Sequence, residues 1–277
     1  MKDITISRRS LLVSAGLLAL APLAGCGGNS GSGSAAAGSD YTIGVLQLTE
    51  HSALDAANDG FVKAIKKSGL KVKIDQKNAQ NDQSTCKSIA DKFVGDNVNL
   101  IYAIATPAAQ AAAGATADIP IVGCAITDYA ASGLVQDNDK PGTNVTGASD
   151  LTPVAEQLEM MQKVLPDVKK VGLLYCTAES NSDVQIKAAK KELDKLDLEY
   201  TDFTVSSSNE IQSVVESAVG KVDALYSPTD NTIAAGASQV GQICKENKLP
   251  FVTGEEGMCM AGGLFTQFAK EIGLVLY

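Results

Sequence analysis

Short apolar runs alternate with amphipathic helical patterns from residue 41 to the end of the chain. The first run, residues 41–48, is typical of a strand, and residues 54, 57, 61, 62 and 65 then form one apolar helix face that ends before Gly69. The same alternation predicts strands at residues 71–75, 100–104 and 119–124, and helices at residues 84–94 and 108–115. Strands that alternate with helices predict a parallel sheet covered by helices, and therefore one doubly wound α/β lobe.

The periodicity stops at residues 139–153, which contain Pro141, Gly142, Gly147 and Pro153, and then begins again. Beyond this interruption the pattern predicts helices at residues 155–164, 183–196, 209–218 and 232–247, and strands at residues 170–175, 199–204, 224–226 and 250–252. We therefore expect an α/β protein with two doubly wound parallel-sheet lobes, residues 41–147 and 148–277, and a ligand cleft between them.

The N-terminal 40 residues have a different pattern. Arg8 and Arg9 precede an apolar stretch, residues 11–23, that is shorter than the roughly 20 residues of a membrane-spanning helix. Cys26 ends the run Leu23-Ala24-Gly25-Cys26, and a Gly/Ser/Ala-rich segment follows. This order predicts a lipoprotein signal peptide at residues 1–25, a lipid on Cys26 and a flexible spacer at residues 26–40. The twin-arginine and the general secretory routes both remain open for export to the outer face of the cytoplasmic membrane.

Charge narrows the classes of ligand. The whole chain has a net charge of −9, and removal of residues 1–25 makes it −11 and takes away both arginines. An acidic protein without a guanidinium group is a poor partner for nucleic acid, anionic lipid or phosphate esters. With one histidine and no Cys-x-x-Cys pair, a zinc site is not expected, and no metal or cofactor is predicted.

Polar side chains follow most of the predicted strands. Because the carboxyl ends of parallel strands meet at one edge, we predict ligand contacts from Glu50, His51, Thr106, Asp128, Ser149, Asn181, Ser182, Asp230, Asn231 and Glu255. The helices that begin near Thr106 and Ser182 offer free N–H groups to a carboxylate, while Asp230, Glu50 or Glu255 offers a carboxylate to an ammonium. This chemistry favours an amino acid. Helix N-capping explains many of the same residue types, so both interpretations stay open.

The tyrosines near the predicted strand ends, Tyr102, Tyr129, Tyr175 and Tyr226, allow two interpretations. They either flank the ligand side chain or pack beneath loops, and the sequence does not separate these alternatives.

Several stretches resemble a known family: residues 43–47, 50–55, 105–107, 144–147, 149–153, 171–175 and 228–231. In order and spacing they are similar to the substrate-binding lipoproteins of ABC importers in the tryptophan/tyrosine-type group. The resemblance implies a type I periplasmic-binding fold, capture of a small, amino-acid-like ligand, and delivery to an ABC permease and its ATPase. We expect a monomer, with a second lobe that is shorter at its C-terminus than in such proteins.

Two other functions are considered. A ligand-sensing lipoprotein for a membrane receptor would use the same pocket. A lipid-anchored hydrolase is disfavoured, because the chain has no G-x-S-x-G motif and His51 is its only histidine. We therefore expect a binding protein rather than an enzyme.

Overall fold

The computed structural model describes residues 41–266. The predicted signal peptide, the predicted lipidation site Cys26, the predicted spacer and the last eleven residues lie outside the described residues. The elements below are numbered within the described part of the chain.

The first lobe is a five-stranded parallel sheet in the order β2-β1-β3-β4-β5. Its elements are β1 Tyr41–Gln47, α1 Ser52–Ser68, β2 Val72–Asn78, α2 Gln83–Gly95, β3 Leu100–Ile104, α3 Thr106–Ala115, β4 Ile121–Ile126 and β5 Val145–Ser149. Helix α1 ends as predicted at Gly69, whose φ of 77° is the left-handed conformation that glycine adopts without steric cost.

The second lobe contains a four-stranded parallel sheet in the order β7-β6-β8-β9. Its elements are α4 Val154–Val164, β6 Lys170–Cys176, α5 Ser180–Lys195, β7 Glu199–Val205, α6 Ile211–Ala218, β8 Ala224–Ser227, α7 Asn231–Ala235, α8 Ala237–Glu246, β9 Phe251–Thr253 and α9 Glu256–Gly262. The α/β class and the two parallel-sheet lobes are confirmed.

Three details differ from the sequence-based prediction. Strand β5 lies inside the segment where the periodicity stops, and it crosses the predicted boundary between residues 147 and 148, so the first sheet extends to Ser149. The predicted helix at residues 232–247 is two helices that meet at Gly236, where an added Cβ would lie 2.5 Å from Ile211 Cδ1. Helix α9 was not predicted.

Each lobe buries its own apolar core. In the first lobe, Phe93 of α2 packs directly on Gly44 of β1, where an added Cβ would be 2.6 Å from the ring. In the second lobe, two clusters of buried residues cover the two faces of the sheet, around Leu174 and Leu173 of β6. Because both sheets are parallel, all their carboxyl ends lie at one edge of each sheet, where the predicted ligand contacts are found. Within residues 41–266, no helix is long and apolar enough to span a membrane.

We predict that Gly147→Ala destabilises the first lobe. A Cβ at this position in β5 would lie 2.1 Å from both the Gly123 carbonyl oxygen and the Tyr129 hydroxyl. Such overpacking is expected to lower the free energy of unfolding by about 2 kcal/mol, as measured by urea denaturation. Gly114→Ala in α3 is the control, because an added Cβ there has no neighbour within 4 Å. Equal effects of the two substitutions would contradict the prediction.

Candidate functional site

Four side-chain hydrogen bonds join the two lobes among residues 41–266, and all of them lie at the carboxyl ends of the strands. The pairs are His51 Nε2 with Asn231 Oδ1 at 3.3 Å, Asn81 Nδ2 with Thr232 Oγ1 at 2.9 Å, Gln83 Nε2 with the Ala178 carbonyl at 2.7 Å, and Gln110 Nε2 with Ser180 Oγ at 3.1 Å. The structure therefore has the lobes in contact. We call these four hydrogen bonds the lobe contact.

Glu179 lies at the centre of the lobe contact. Its side chain follows β6 and is only 2% exposed. Its Oε2 accepts hydrogen bonds from Asn181 Nδ2 at 3.1 Å, Asn231 N at 3.1 Å and Asn231 Nδ2 at 2.6 Å. Its Oε1 accepts from the backbone N–H and the hydroxyl of Thr232, both at 2.8 Å. Five donors of its own lobe thus replace the water that a buried carboxylate loses.

Asp230, which follows β8, is a second buried carboxylate in the same lobe, 2% exposed. Its Oδ1 accepts from Ile233 N at 2.8 Å and so caps α7, while its Oδ2 accepts from Cys176 N at 2.6 Å and Ser182 Oγ at 2.7 Å. Burial, and then the negative charge of Glu179, raises the pKa of Asp230. Both oxygens of Asp230 are bound by its own lobe, so Asp230 links β6, α5 and α7 in this structure. Ser182 of α5 is one of the donors in this link.

Thr106 and Asn181 lie at helix starts and have buried polar atoms without a partner. Thr106, the first residue of α3, is 1% exposed, and its Oγ1 has no hydrogen bond. Asn181, in the first turn of α5, is 2% exposed, and its Oδ1 has none. The two helices contact each other through Gln110 and Ser180. Buried polar atoms normally have a partner, so these two atoms are candidate ligand contacts.

The backbone before α3 supports this assignment. Ala105 has a φ of 85°, which is a strained conformation for a residue with a Cβ. It turns the chain from β3 directly into α3, so the first N–H groups of the helix and the Thr106 hydroxyl lie at the strand end. A helix N-terminus of this kind binds a carboxylate without a basic side chain.

Asp150, which follows β5, also has an orphaned buried atom. Its side chain is half-buried, and its Oδ1 has no partner. Burial, and then the negative charge of Glu255, raises the pKa of Asp150 to about 6. A carboxylate oxygen without a hydrogen-bond donor is suited to a ligand ammonium.

His51 is half-buried at the start of α1. Asn231 donates its Nδ2 to Glu179, so its Oδ1 faces His51 as an acceptor. His51 Nε2 is therefore the donor, and Nδ1 is left as a buried acceptor without a partner. The structure brings His51, Asn181, Ser182, Asp230 and Asn231 together around Glu179.

The remaining candidates lie elsewhere. Glu50 is exposed and lines a cavity of about 280 Å³ between α1 and β2. Asp128 and Ser149 line a cavity of about 310 Å³ at the β4–β5 edge, where Asp128 accepts from Ala131 N and Ser149 Oγ donates to the Thr127 carbonyl. Glu255 caps α9 by accepting from Gly257 N and Met258 N.

The four tyrosines pack inside the lobes. Tyr102 stacks on Phe61 with ring centroids 3.9 Å apart. The other three hydroxyls donate within their own lobes: Tyr129 to the Gly123 carbonyl, Tyr175 to Asp202 and Tyr226 to Gln157. Of the two interpretations, the structure favours packing.

Glu179, Asn81 and Asp150 were not among the predicted contacts. Glu179 comes shortly after the apolar strand β6, and that position was the available signal, whereas Asp150 follows β5, which has no apolar pattern. Asn81 comes three residues after β2 and has a φ of 61°, which no local pattern indicates.

In the part of the chain that the structure describes, no three His, Cys, Asp or Glu side chains are arranged to hold a metal ion.

Residues 42–274 match the protein family described as ABC transporter substrate binding protein. Over 263 residues the chain is 42% identical to the tyrosine-binding protein of Clostridioides difficile strain R20291, covering 91% of this chain and 76% of that relative.

Two solved structures differ in how well they superpose on this one. A domain from Streptococcus pneumoniae in complex with L-Trp is 39% identical, covers 82% of this chain and 78% of its own, and superposes with a TM-score of 0.79. The ligand-free, open structure of a substrate binding protein from Clostridium difficile is 46% identical, and the match covers 81% of this chain and 77% of that one. Its TM-score is nevertheless only 0.57. The lobes here are thus arranged more as in the L-Trp complex than as in the open structure.

We predict that Asp150→Asn stabilises the ligand-free protein at neutral pH. A pKa raised to about 6 means that the folded state binds the proton more tightly than the unfolded state, so ionised Asp150 costs stability above pH 6. The substitution is expected to raise the free energy of unfolding by about 2 kcal/mol at about pH 7.5 and to have almost no effect near pH 4. Urea denaturation at both pH values measures this. Exposed Asp118→Asn is the control, and a gain that is equal at both pH values would contradict the prediction.

Proposed function

Because this chain belongs to the family of ABC transporter substrate-binding proteins, we propose that it captures an aromatic amino acid between its lobes and delivers it to an ABC permease and its ATPase. The observation that carries this proposal is that four of the buried polar atoms without partners, Thr106 Oγ1, Asn181 Oδ1, His51 Nδ1 and Asp150 Oδ1, lie just after strand ends. They include donor and acceptor groups that suit a zwitterion.

The ligand carboxylate binds at the start of α3 in this proposal. The hydroxyl of Thr106 and the free N–H groups of the first turn donate to it, and the helix dipole favours its negative charge. No arginine is required, which agrees with the composition of residues 26–277.

The ligand ammonium binds to Asp150, with Asn181 Oδ1 and His51 Nδ1 as further acceptors. Contacts from the first lobe, the second lobe and the crossover near β5 are then completed only when the lobes are closed. The ligand therefore stabilises the closed state because it binds both lobes there.

The preference for an aromatic side chain rests on relatives: one is a tyrosine-binding protein and another was solved with L-Trp. Binding leaves the ligand unchanged, and the protein acts as a monomeric receptor. Residues 1–25 are a signal peptide, Cys26 carries the lipid, residues 26–40 are the spacer, and the protein is held at the outer face of the cytoplasmic membrane.

Isothermal titration calorimetry with L-tyrosine, L-tryptophan, L-leucine and L-glutamate tests the ligand class. We expect the two aromatic amino acids to bind, and L-glutamate not to bind. A folded sample that binds none of the four would overturn the proposal.

Thr106→Val tests the carboxylate site. Valine keeps the branched shape but removes a hydroxyl that has no partner in the protein, so stability is expected to be unchanged while affinity for L-tyrosine falls about 10-fold. Ser88→Ala, an exposed hydroxyl on α2, is the control and should bind as the parent does. Unchanged affinity of Thr106→Val would place the carboxylate elsewhere.

Cys26→Ser is expected to release the protein from the membrane fraction of expressing cells, because the lipid is the proposed anchor. Cys259→Ser, a half-buried thiol in α9, is the control and should remain with the membrane. Fractionation followed by immunoblotting measures both. Membrane retention of Cys26→Ser would argue against the lipid anchor.

A further inference from the structure

The hydrogen bonds of the lobe contact have one direction. In all four, the donor belongs to the first lobe and the acceptor to the second. The donors are amide or imidazole N–H groups of His51, Asn81, Gln83 and Gln110.

The four acceptors all depend on Glu179 or adjoin it. Two belong to its chain neighbours, the Ala178 carbonyl and Ser180 Oγ. The other two, Asn231 Oδ1 and Thr232 Oγ1, belong to side chains that Glu179 itself binds.

Glu179 fixes which atoms Asn231 and Thr232 present to the first lobe. The Asn231 amide gives its Nδ2 to Glu179 at 2.6 Å, so only Oδ1 faces His51. The Thr232 hydroxyl gives its proton to Glu179 at 2.8 Å, so only its lone pairs face Asn81. A buried carboxylate accepts only, and this converts two groups that can both donate and accept into acceptors.

We propose that Glu179 is the positioning residue for lobe closure: it orients Asn231 and Thr232 so that the second lobe offers acceptors to the donors of the first. Glu179 does not touch the ligand itself. It acts through Asn231 and Thr232 in the lobe contact, and by accepting from Asn181 Nδ2 it also orients the Asn181 Oδ1 proposed to contact the ligand. This role goes beyond capture of an amino acid and holds for any ligand that requires closure.

The test uses Glu179→Gln, which keeps the size and shape of the side chain but places an amide NH2, itself a donor, among five hydrogen-bond donors. The new amide Nε2 at position 179, placed next to Thr232, donates to the Thr232 hydroxyl oxygen. The hydroxyl proton then points towards Asn81, so the Thr232 O–H and the Asn81 Nδ2–H, both donors, face each other. We expect the closed state to be disfavoured and the dissociation rate of L-tyrosine or L-tryptophan, measured by stopped-flow, to rise about 10-fold.

Glu192→Gln is the matched control. Glu192 lies on α5, the helix that begins directly after Glu179, is 5% exposed, and pairs with Lys195 of its own lobe. Its substitution is expected to change stability but leave the dissociation rate within two-fold of the parent. Equal acceleration in both variants would overturn the proposal, because a general weakening of the second lobe would then suffice.

Asn81→Asp gives a readout that a merely structural role would not produce. Alone, the new carboxylate faces a Thr232 oxygen without a proton, so dissociation is expected to accelerate. Combined with Glu179→Gln, it faces the released hydroxyl proton, so the double variant is expected to release ligand more slowly than either single variant. Multiplicative acceleration in the double variant would contradict the proposal.

If the parent binds neither amino acid, the proposed function fails. The role of Glu179 in closure is then tested separately, by small-angle X-ray scattering of the ligand-free proteins. A larger radius of gyration for Glu179→Gln than for the parent and Glu192→Gln supports it. Equal radii overturn it.

Discussion

The second lobe is organised around two buried carboxylates that accept hydrogen bonds from N–H and O–H groups. A buried charge is tolerated only when donors replace its hydration, and Glu179 and Asp230 meet this condition with donors from β6, α5 and the start of α7. The requirement fixes these strand ends and helix starts relative to one another. The acceptors of the four hydrogen bonds between the lobes all lie next to Glu179. The buried charge of the second lobe therefore determines which acceptors the first lobe meets.

Because residues 26–277 contain no arginine, the proposed carboxylate site relies on a helix start. Helix α3 begins directly after β3 without a side-chain cap, so its first N–H groups are free, and the orphaned hydroxyl of Thr106 adds a side-chain donor. Asp150 supplies the opposite charge from the crossover. The groups proposed to hold the ligand and the groups that hold the lobes together both lie at the carboxyl ends of the strands, which is why the proposed binding is coupled to closure.

The fold could largely be predicted from the sequence, because each parallel strand is a buried apolar run followed by an amphipathic helix. Strand β5 could not, since four of its five residues are exposed and it has no apolar pattern. The break at Gly236 depends on contact with Ile211, which is distant in the chain.

For the site, sequence position identified the strand ends, but it did not show which polar side chains form hydrogen bonds with one another. Glu179 binds residues 52 and 53 positions away, and Asp230 has its oxygens occupied within its lobe. Those partnerships arise only from the tertiary packing.

A crystal structure of the protein with bound L-tyrosine is the most direct measurement. It should place the ligand carboxylate at Thr106 and the first turn of α3, and the ammonium at Asp150, with His51 and Asn81 still bonded to Asn231 and Thr232. A ligand found instead in the cavity beside Glu50 or in the cavity beside Asp128, with the lobes unchanged, would contradict binding coupled to closure.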